Sequence, residues 1–252
     1  MVQISQPATY DLDSFSLKEM TQLGAALRQM GRDAICMEDV AQRTVSHLYD
    51  SLVSKSLGDK ACVLVRFFKT HPYKALERDL QECVIETLGS EPPSQTKCLT
   101  LLATAGSHGA WNDRRYSLHH RSIPLISEET VQRMPMIAQL VLQFGLEIPS
   151  ILCPDGQLLL ELEQRAYNVF YVGQAQGNPS IPAQEDFVIP HSVKSVLGFG
   201  GMLPSSDMFA VIIFARVSIS RKTALSFKPF ALNTKLAILP FDGAAVFKTG
   251  RA

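Results

Sequence analysis

Two apolar segments joined by a short connection constrain the fold of this chain more than any other feature. Ser192–Gly198 and Met208–Val217 both have the composition of β-strands, and Met202–Asp207 forms a hairpin-like connection between them. Strands joined in this way pair antiparallel. Helical patterns alternate with strands along the rest of the chain, so the sequence predicts an α+β fold in which an antiparallel sheet carries helices on its face.

The first helical pattern is a narrow apolar stripe. Its residues recur at spacings of three and four, as in a coiled-coil seam, and a second helical pattern follows through Val40, Thr44, Leu48 and Leu52. Two interpretations of the first stripe stay open: it packs on the protein's own sheet, or it forms a dimer interface. Its residues are Leu17, Met20, Leu23, Leu27 and Met30.

Strand and helix patterns alternate through the next part of the chain. Ala61–Phe68 and Lys97–Ala105 are predicted buried strands. Tyr73–Leu88 between them is a predicted amphipathic helix that Gly89 ends. Gly106–Arg121 is predicted to be a loop or irregular ribbon.

Helical patterns dominate the remaining segments. Ser127 is a predicted N-cap of a helix that extends to about Phe144. Ile148–Leu152 is predicted to be a short strand, and Leu158–Ala166 a helix. A closing helix over Ser220–Leu239 is expected to turn its apolar side chains inward. These side chains are Leu225, Phe230, Leu232, Leu236 and Leu239.

Charge and cysteine content exclude several classes of protein. Acidic and basic residues balance at 24 each, so we expect no nucleic-acid partner, which would need a basic excess. The five cysteines are widely spaced and include no C-x-x-C, which is not the pattern of a disulfide framework. No secretory leader or bilayer-length apolar run is apparent. We therefore expect a soluble cytoplasmic protein without a membrane partner.

Residues 165–240 carry a family resemblance. Tyr167–Val172 with the Gly/Pro/Gln-rich stretch Gly177–Gln184 resembles the connection that GAF domains lay over their ligand pocket. Val193–Leu197 resembles a strand of that family that often has a small-residue, basic-Ser-Val pattern. Ala210–Phe214 and the helix after it complete the match. In the order of its elements, the chain resembles a GAF-like sensory domain of bacterial signal-transduction proteins.

The resemblance implies an architecture and a domain division. It implies a GAF/PAS-like antiparallel sheet with flanking helices and long N-terminal and C-terminal helices. Residues 1–14 would be a flexible lead-in and residues 15–240 a single sensory domain with an insertion around 70–150. Residues 241–252 would be a tail or linker.

The resemblance also implies a function. Such a domain binds a small or planar ligand and relays binding through its terminal helices to a signalling output domain or kinase partner, as in two-component systems. A homodimer is expected, and haem is a candidate cofactor. Covalent bilin is not expected, because relatives that bind it use a Cys-His dipeptide and no cysteine here precedes a histidine. We expect a regulatory sensor rather than an enzyme. A thiol-dependent small-molecule reductase on a GAF-like scaffold and a ligand-free dimerisation or interaction module are the alternatives.

The segment 108–121 holds the densest group of reactive side chains. Imidazoles bind zinc or haem iron, and aromatic and Arg side chains flank planar or anionic ligands. Adjacent histidines of an extended segment point to opposite sides, so they would not both bind one metal. A solvated loop is the alternative interpretation. The ligand-binding candidates here are Trp111, Arg114, His119 and His120.

A second group of candidates lies beside the expected pocket, between the sheet and segment 167–191. His191 is the preferred pocket histidine. Tyr167, Phe170 and Tyr171 lie in the segment that would cover the ligand. The alternative interpretations are a strand-edge hydrogen bond for the histidine and ordinary core packing for the aromatic residues.

Two cysteines are redox candidates, and one glycine cluster needs an interpretation. Cys98 is expected to be buried and inert, whereas Cys153, before Pro154, is expected at an exposed turn. Gly198–Gly201 lacks the pattern of a phosphate-binding loop and is expected to permit a bend or bulge at a strand end. No hydrolase or zinc-protease motif occurs, so no catalytic residue is assigned.

Overall fold

The computed structural model describes residues 8–117, 120–154 and 168–248. The strands in these ranges are β1 Tyr10–Asp11, β2 Leu52–Ser54, β3 Asp59–Lys60, β4 Cys62–Pro72, β5 Lys97–Gly106, β6 Ser122–Leu125, β7 Asn168–Val172, β8 Ser195–Met202 and β9 Met208–Ala215. The α-helices are α1 Leu17–Gln29, α2 Met37–Ser51, α3 Arg78–Leu88, α4 Glu128–Gln132, α5 Pro135–Gln143, α6 Ile148–Leu152, α7 Arg221–Leu225 and α8 Lys228–Ile238. Single helical turns of other types lie between them.

One antiparallel sheet organises the described part of the chain. Its six strands lie in the order β6-β5-β4-β9-β8-β7, and β1, β2 and β3 form a separate small sheet. The predicted hairpin is present, since β8 and β9 pair from Met202 with Met208 to Ser195 with Ala215. The predicted α+β class, with an antiparallel sheet and flanking helices, is therefore confirmed.

Strand β9 shows why both faces of this sheet are covered. Side chains alternate in direction along a strand. Phe209, Val211 and Ile213 pack on one side of the sheet, whereas Ala210 and Ile212 pack on the other. All are buried, so the near-continuous apolar sequence of this strand reflects burial on two faces.

Helices α1, α2 and α8 cover the first face. Of the apolar stripe in α1, Leu23 and Leu27 are fully buried in the protein's own core, while Leu17 is 74% exposed. Helix α1 packs directly on α8 at Gly24. A Cβ atom at this position would lie 2.8 Å from the side chain of Asn233, so the glycine allows the close approach. Intramolecular packing thus accounts for the inner part of the stripe.

Helices α4, α5 and α6 and the segment 173–193 cover the second face. Ser127 caps α4 as predicted by accepting a hydrogen bond from the backbone N–H of Thr130. The predicted single helix is divided in two at Pro135, which begins α5. Phe144, directly after α5, is fully buried in this second core.

The predicted strand at Ile148–Leu152 is wrong, because these residues form the short helix α6. A run of five apolar residues does not distinguish a strand from a buried helical turn. Pro149 favours the helix here, since its fixed φ suits a first turn.

The predicted bend at Gly198–Gly201 is also wrong, because these residues lie inside β8 and pair in regular register with β9. Gly200 is required by packing: a Cβ atom there would lie 2.7 Å from the ring of Phe144 and 2.1 Å from the carbonyl oxygen of Phe209. The glycine allows the chain on the second face to approach the sheet closely.

The closing segment differs from the prediction in two ways. It forms two helices, α7 and α8, rather than one. Phe230 points inward, but the other predicted inward residues are 38–49% exposed. These exposed residues are Leu225, Leu232, Leu236 and Leu239.

Parts of the predicted lead-in and tail are folded. Tyr10 and Leu12 are buried, and β1 pairs with β2. At the other end, backbone N–H groups of Met37 and Glu38 donate to the carbonyls of Ala245 and Val246. Both ends of the described chain therefore contact the domain.

The predicted helix at 158–166 lies outside the described residues.

Candidate functional site

A loop after β5 positions the first two side chains of the site. Asn112 folds this loop back on itself: its Oδ1 accepts from the N–H of Gly106 at 3.0 Å, and its Nδ2 donates to the carbonyl of His108 at 3.0 Å. The ring of Trp111 lies over Gly106, where a Cβ atom would come within 2.9 Å of it. The asparagine and the glycine together hold His108 and Trp111 in place.

A second segment, residues 173–192, presents the other side chains. Gln184 supports it internally, because its Nε2 donates to the carbonyls of Ala175 and Ile181 at 3.0 and 2.8 Å. Gln184–Val188 forms a π-helical turn, a rare conformation that is frequent at functional sites. Ala183 and Ser192, at either end, have φ values of 57° and 55°, which non-glycine residues seldom adopt.

The two segments meet in a cluster of four rings, here called the imidazole–aromatic cluster: His108, Trp111, Phe187 and His191. The ring centroid of Trp111 lies 4.4 Å from that of His108 and 4.9 Å from that of His191. The two imidazole centroids are 4.9 Å apart. Phe187 completes the group at 5.5 Å from Trp111 and 5.6 Å from His191. Most of these contacts are edge-to-face, the geometry that aromatic pairs prefer.

The cluster lies at the surface and is only partly covered. His108 is exposed, whereas Trp111, Phe187 and His191 are half-buried. Burial lowers the pKa of His191 below its usual range, and nearby His108 and Arg216 lower it further. His191 is therefore neutral at pH 7, which leaves one ring nitrogen free to accept a hydrogen bond or bind a metal. Arg216 gives the site a positive charge.

Beneath the cluster, the expected pocket between the sheet and segment 167–191 is filled by side chains of the described residues. Val188 and Val193, from the segment 173–193 that covers the second face, are fully buried. The ring centroids of Phe187 and Phe214 of β9 are 5.1 Å apart. Phe170 of β7 is fully buried in the same core. A ligand would therefore bind at the outer margin of this core, on the imidazole–aromatic cluster.

The other predicted aromatic residues lie elsewhere. Tyr171 faces the opposite side of the sheet from Phe170, as neighbours on a strand must, and its hydroxyl donates to the carbonyl of Ile219. His120 is exposed with a φ of 64°. Tyr167 and His119 lie outside the described residues.

Arg114 is a buried structural residue. Its Nε donates to Glu38 at 2.8 Å, and its Nη2 donates to Glu77 at 2.5 Å. The guanidinium also lies over the ring of Phe247. Arg114 thereby joins α2, the start of α3 and the C-terminal segment, which leaves it unsuited to contact a ligand at the imidazole–aromatic cluster.

The two redox candidates have different environments. Cys98 is buried in β5, and burial raises the pKa of its thiol to about 11. Cys153 is exposed directly after α6. Because a thiolate is the reactive form, Cys98 is unreactive near neutral pH.

Within residues 8–117, 120–154 and 168–248, no three His, Cys, Asp or Glu side chains converge as a metal site.

In the same ranges, no helix is both long and apolar enough to cross a membrane.

Sequence reasoning identified Trp111 and His191 but did not connect them, and it omitted Phe187 and Arg216. One signal was available: Phe187 and His191 are four residues apart, the spacing that places side chains on one side of a helical turn. No local sequence pattern predicts the contact between the two loops, because β6, α4, α5, α6 and β7 lie between them in the chain.

Comparisons with known proteins give matches in fold only. One is the X-ray structure of free methionine-R-sulfoxide reductase from Neisseria meningitidis in complex with its substrate, with 12% identity, TM-score 0.47, and coverage of 94% of this chain and 98% of that chain. Two others are GAF domains from a cyanobacterial phytochrome. The phycocyanobilin-bound domain has 12% identity and TM-score 0.43, with coverage of 88% of this chain and 94% of that chain. The phycoerythrobilin-bound domain has 13% identity and TM-score 0.40, with coverage of 90% of this chain and 95% of that chain.

The chain is similar to these GAF domains in its general architecture, an antiparallel sheet with flanking helices, which is the architecture that the resemblance in the sequence implies. Such low identities and TM-scores give no ground for transferring a ligand or an activity. No protein-family model and no curated protein sequence matches the chain.

Proposed function

We propose that this GAF-like domain is a sensor that binds a small, planar, anionic molecule at the imidazole–aromatic cluster. The observation that carries the proposal is the convergence of His108, Trp111, Phe187 and His191, from two separately supported loops, on a half-exposed surface. Ring faces and edges bind planar molecules. The charge of Arg216 and the N–H donors of the imidazoles favour an anion.

The cluster in this arrangement leaves no space for haem between its two imidazoles. Inserting a planar ring between two side chains needs about 7 Å between them, twice a van der Waals contact of about 3.5 Å. The imidazole centroids of His108 and His191 are only 4.9 Å apart. The proposed ligand is therefore a smaller ring system that packs on the outer side of the cluster.

Binding would be relayed through the covering segment. Segment 173–192 contacts both the cluster and the second core, and it is followed directly by β8 and β9, which lead into α7 and α8. A ligand shifts this system only if it binds one arrangement of the segment more tightly than another.

The test identifies the small molecules that remain bound to the protein when it is purified from the organism that encodes it. Small molecules released by heat are measured by mass spectrometry for the wild type and for the variant Trp111→Leu/His191→Ala. We expect one compound in stoichiometric amount from the wild type and its loss from the variant. Tyr116→Ala is the matched control, because Tyr116 is a 69% exposed ring on the same loop. Equal recovery from wild type and double variant would contradict the proposal.

A ligand-free interaction module is the second candidate. It is favoured by one observation, the filling of the expected pocket by Phe170, Val188 and Val193. Native mass spectrometry separates the candidates: a purified protein of bare mass that binds no planar anion supports the interaction module.

A further inference from the structure

The outward side of α8 and the adjoining side of α1 form one apolar surface, here called the terminal-helix surface. Leu232, Leu236 and Leu239, on α8 and the turn after it, are 38–44% exposed. Scattered exposed leucines are ordinary, but a contiguous group marks an interaction site.

The leucines of α8 follow a helical stripe. Leu232, Leu236 and Leu239 are spaced by four and three residues, which places them on one side of the helix. The opposite side of α8 carries Phe230 and Ile238, which are fully buried in the core. The helix is therefore apolar on two sides, and only one of them is used within the domain.

A groove runs along this surface between α1 and α8. Its volume is about 360 Å³, and it is lined by Met20, Gly24, Ala25, Arg28, Pro229 and Asn233. Pro229 and Asn233 lie one turn from Leu232 and Leu236, so the groove and the leucine stripe are continuous. A concave surface of this kind accommodates the side chains of a helix.

Basic residues outnumber acidic residues around the groove. Helices α7 and α8 contain four basic residues and no acidic residue. On α1, Lys18 and Arg28 are exposed, while the carboxylate of Glu19 is engaged by the backbone N–H groups of Asp11 and Ser16. The chain as a whole has net charge zero, so this surface holds a local positive excess. Its exposed cations are Lys18, Arg28, Arg221, Lys222 and Lys228.

We propose that the terminal-helix surface docks an amphipathic helix of a partner protein, with an apolar stripe flanked by Asp and Glu. Charge complementarity selects this occupant: a second copy of the chain would bring the same cations together, which is unfavourable. A lipid bilayer is flat and would leave the groove unfilled. The proposal does not depend on the ligand of the imidazole–aromatic cluster.

The test uses a displayed library of helical peptides of roughly 18 residues, long enough for about five turns. The peptides share a leucine stripe at spacings of three and four, and the flanking positions vary among Glu, Lys and Gln. The full chain is the bait, and Leu232→Ser/Leu236→Ser is the counter-selection bait. We expect enrichment of Glu at the flanking positions. The affinity of the selected peptide should be at least about tenfold lower for Leu232→Ser/Leu236→Ser than for the wild type.

Charge variants and a control complete the test. Lys18→Glu/Lys228→Glu should weaken the selected peptide and reduce the salt dependence of its binding. Leu142→Ser is the matched control, because Leu142 is 66% exposed on α5, outside this surface. Enrichment of Lys or no enrichment would overturn the proposal. So would a homodimer that the leucine variant dissociates, or binding to anionic phosphatidylserine vesicles that the leucine variant abolishes.

Discussion

The surroundings of His71 oppose a positive charge on its imidazole. It lies in β4, is almost completely buried, and packs against the ring of Phe247 at 5.2 Å. No hydrogen-bond partner reaches its Nε2 among the described residues. Burial holds the pKa of His71 well below its usual range. The positive charges of Lys69, Lys97 and Arg114 lower it further, and the Asp207 carboxylate acts in the opposite direction.

This environment predicts a pH-dependent stability. Because the unfolded chain binds a proton near the ordinary pKa of 6.5 and the folded chain does not, the free energy of unfolding should decrease as the pH falls below 6.5. His71→Leu should show a smaller decrease between about pH 7.5 and pH 5. Urea denaturation at a series of pH values measures it.

Two other histidines have lowered pKa values and contribute in the same pH range, namely His47 and His191. His47→Leu is the matched control, since His47 is less deeply buried and should account for a smaller part of the decrease. An unchanged pH slope in His71→Leu would contradict the assignment. Asp207 does not interfere, because its pKa is lowered from 3.8 and it titrates only at more acidic pH.

The cysteines should differ in reactivity. Burial raises the pKa of Cys98 to about 11 and that of Cys62 to about 12, whereas Cys153 is exposed. With iodoacetamide at mildly alkaline pH, Cys153 should be alkylated first, and Cys62 and Cys98 only after unfolding. Peptide mass spectrometry gives the order. Equal rates for Cys98 and Cys153 in the native protein would count against this account and favour the thiol-dependent reductase.

At the scale of single elements, β8 shows how tightly the second core is packed. Gly200 leaves space for Phe144, and an added methyl group would meet both that ring and the backbone of β9. Gly200→Ala should therefore destabilise the protein by about 1–3 kcal/mol, the usual cost of overpacking a core. Thermal or urea denaturation measures the change.

Gly109→Ala is the control for this prediction. A Cβ atom at Gly109 would meet nothing within 4 Å, so the change should alter stability by less than about 0.5 kcal/mol. Equal effects of the two substitutions would show that Phe144 does not pack on β8 as described.

Elements with strong local patterns were predictable from the sequence. The strands β4, β5 and β9 have runs of apolar residues, and α3 has both an amphipathic pattern and Gly89 at its end, with a φ of 76°. Ile148–Leu152 was not predictable, because a short apolar run fits either secondary structure. Gly200 of β8 was misinterpreted because the ring that constrains it belongs to Phe144, which is distant in sequence.

The candidate site was predictable only in part, for a related reason. Trp111 and His191 could be selected as ring systems in loops, but their contact depends on how the sheet brings the two loops together. The prediction that Leu232 and Leu236 of α8 face inward failed for a different reason. A helix with apolar residues on two sides gives no sequence signal for which side faces the core.

At the scale of the whole molecule, one buried ionic network ties the central strands together. Asp207, at the start of β9, binds Lys69 of β4 and Lys97 of β5, each at 2.6 Å. Burial alone would raise the pKa of Asp207, but the two lysines lower it below its usual range. Asp207 thus compensates both buried ammonium groups, and the buried carboxylate of Asp242 lies 3.9 Å from that of Lys69.

Asp207→Asn should be strongly destabilising, because it removes the carboxylate that lies 2.6 Å from both lysines, and the carboxylate of Asp242 is more distant, at 3.9 Å from Lys69. Removal of one member of a buried ionic group costs about 3–5 kcal/mol. Asp50→Asn is the matched control: Asp50 also binds a lysine, Lys60, at 2.6 Å, but at the surface, so its loss should cost less than about 1 kcal/mol. Similar losses in both variants would contradict the burial of the network.

The central claim is that His108, Trp111, Phe187 and His191 form one site, and the fluorescence of Trp111 tests it most directly because the chain has a single tryptophan. A protonated imidazole in contact with an indole quenches its fluorescence. We predict a decrease in emission as the pH falls, in which the contribution of His191 has a midpoint below 6.5, and loss of the decrease in His108→Gln/His191→Gln. Emission that does not change over this range, or that titrates identically in the double variant, would show that the imidazoles do not meet the indole.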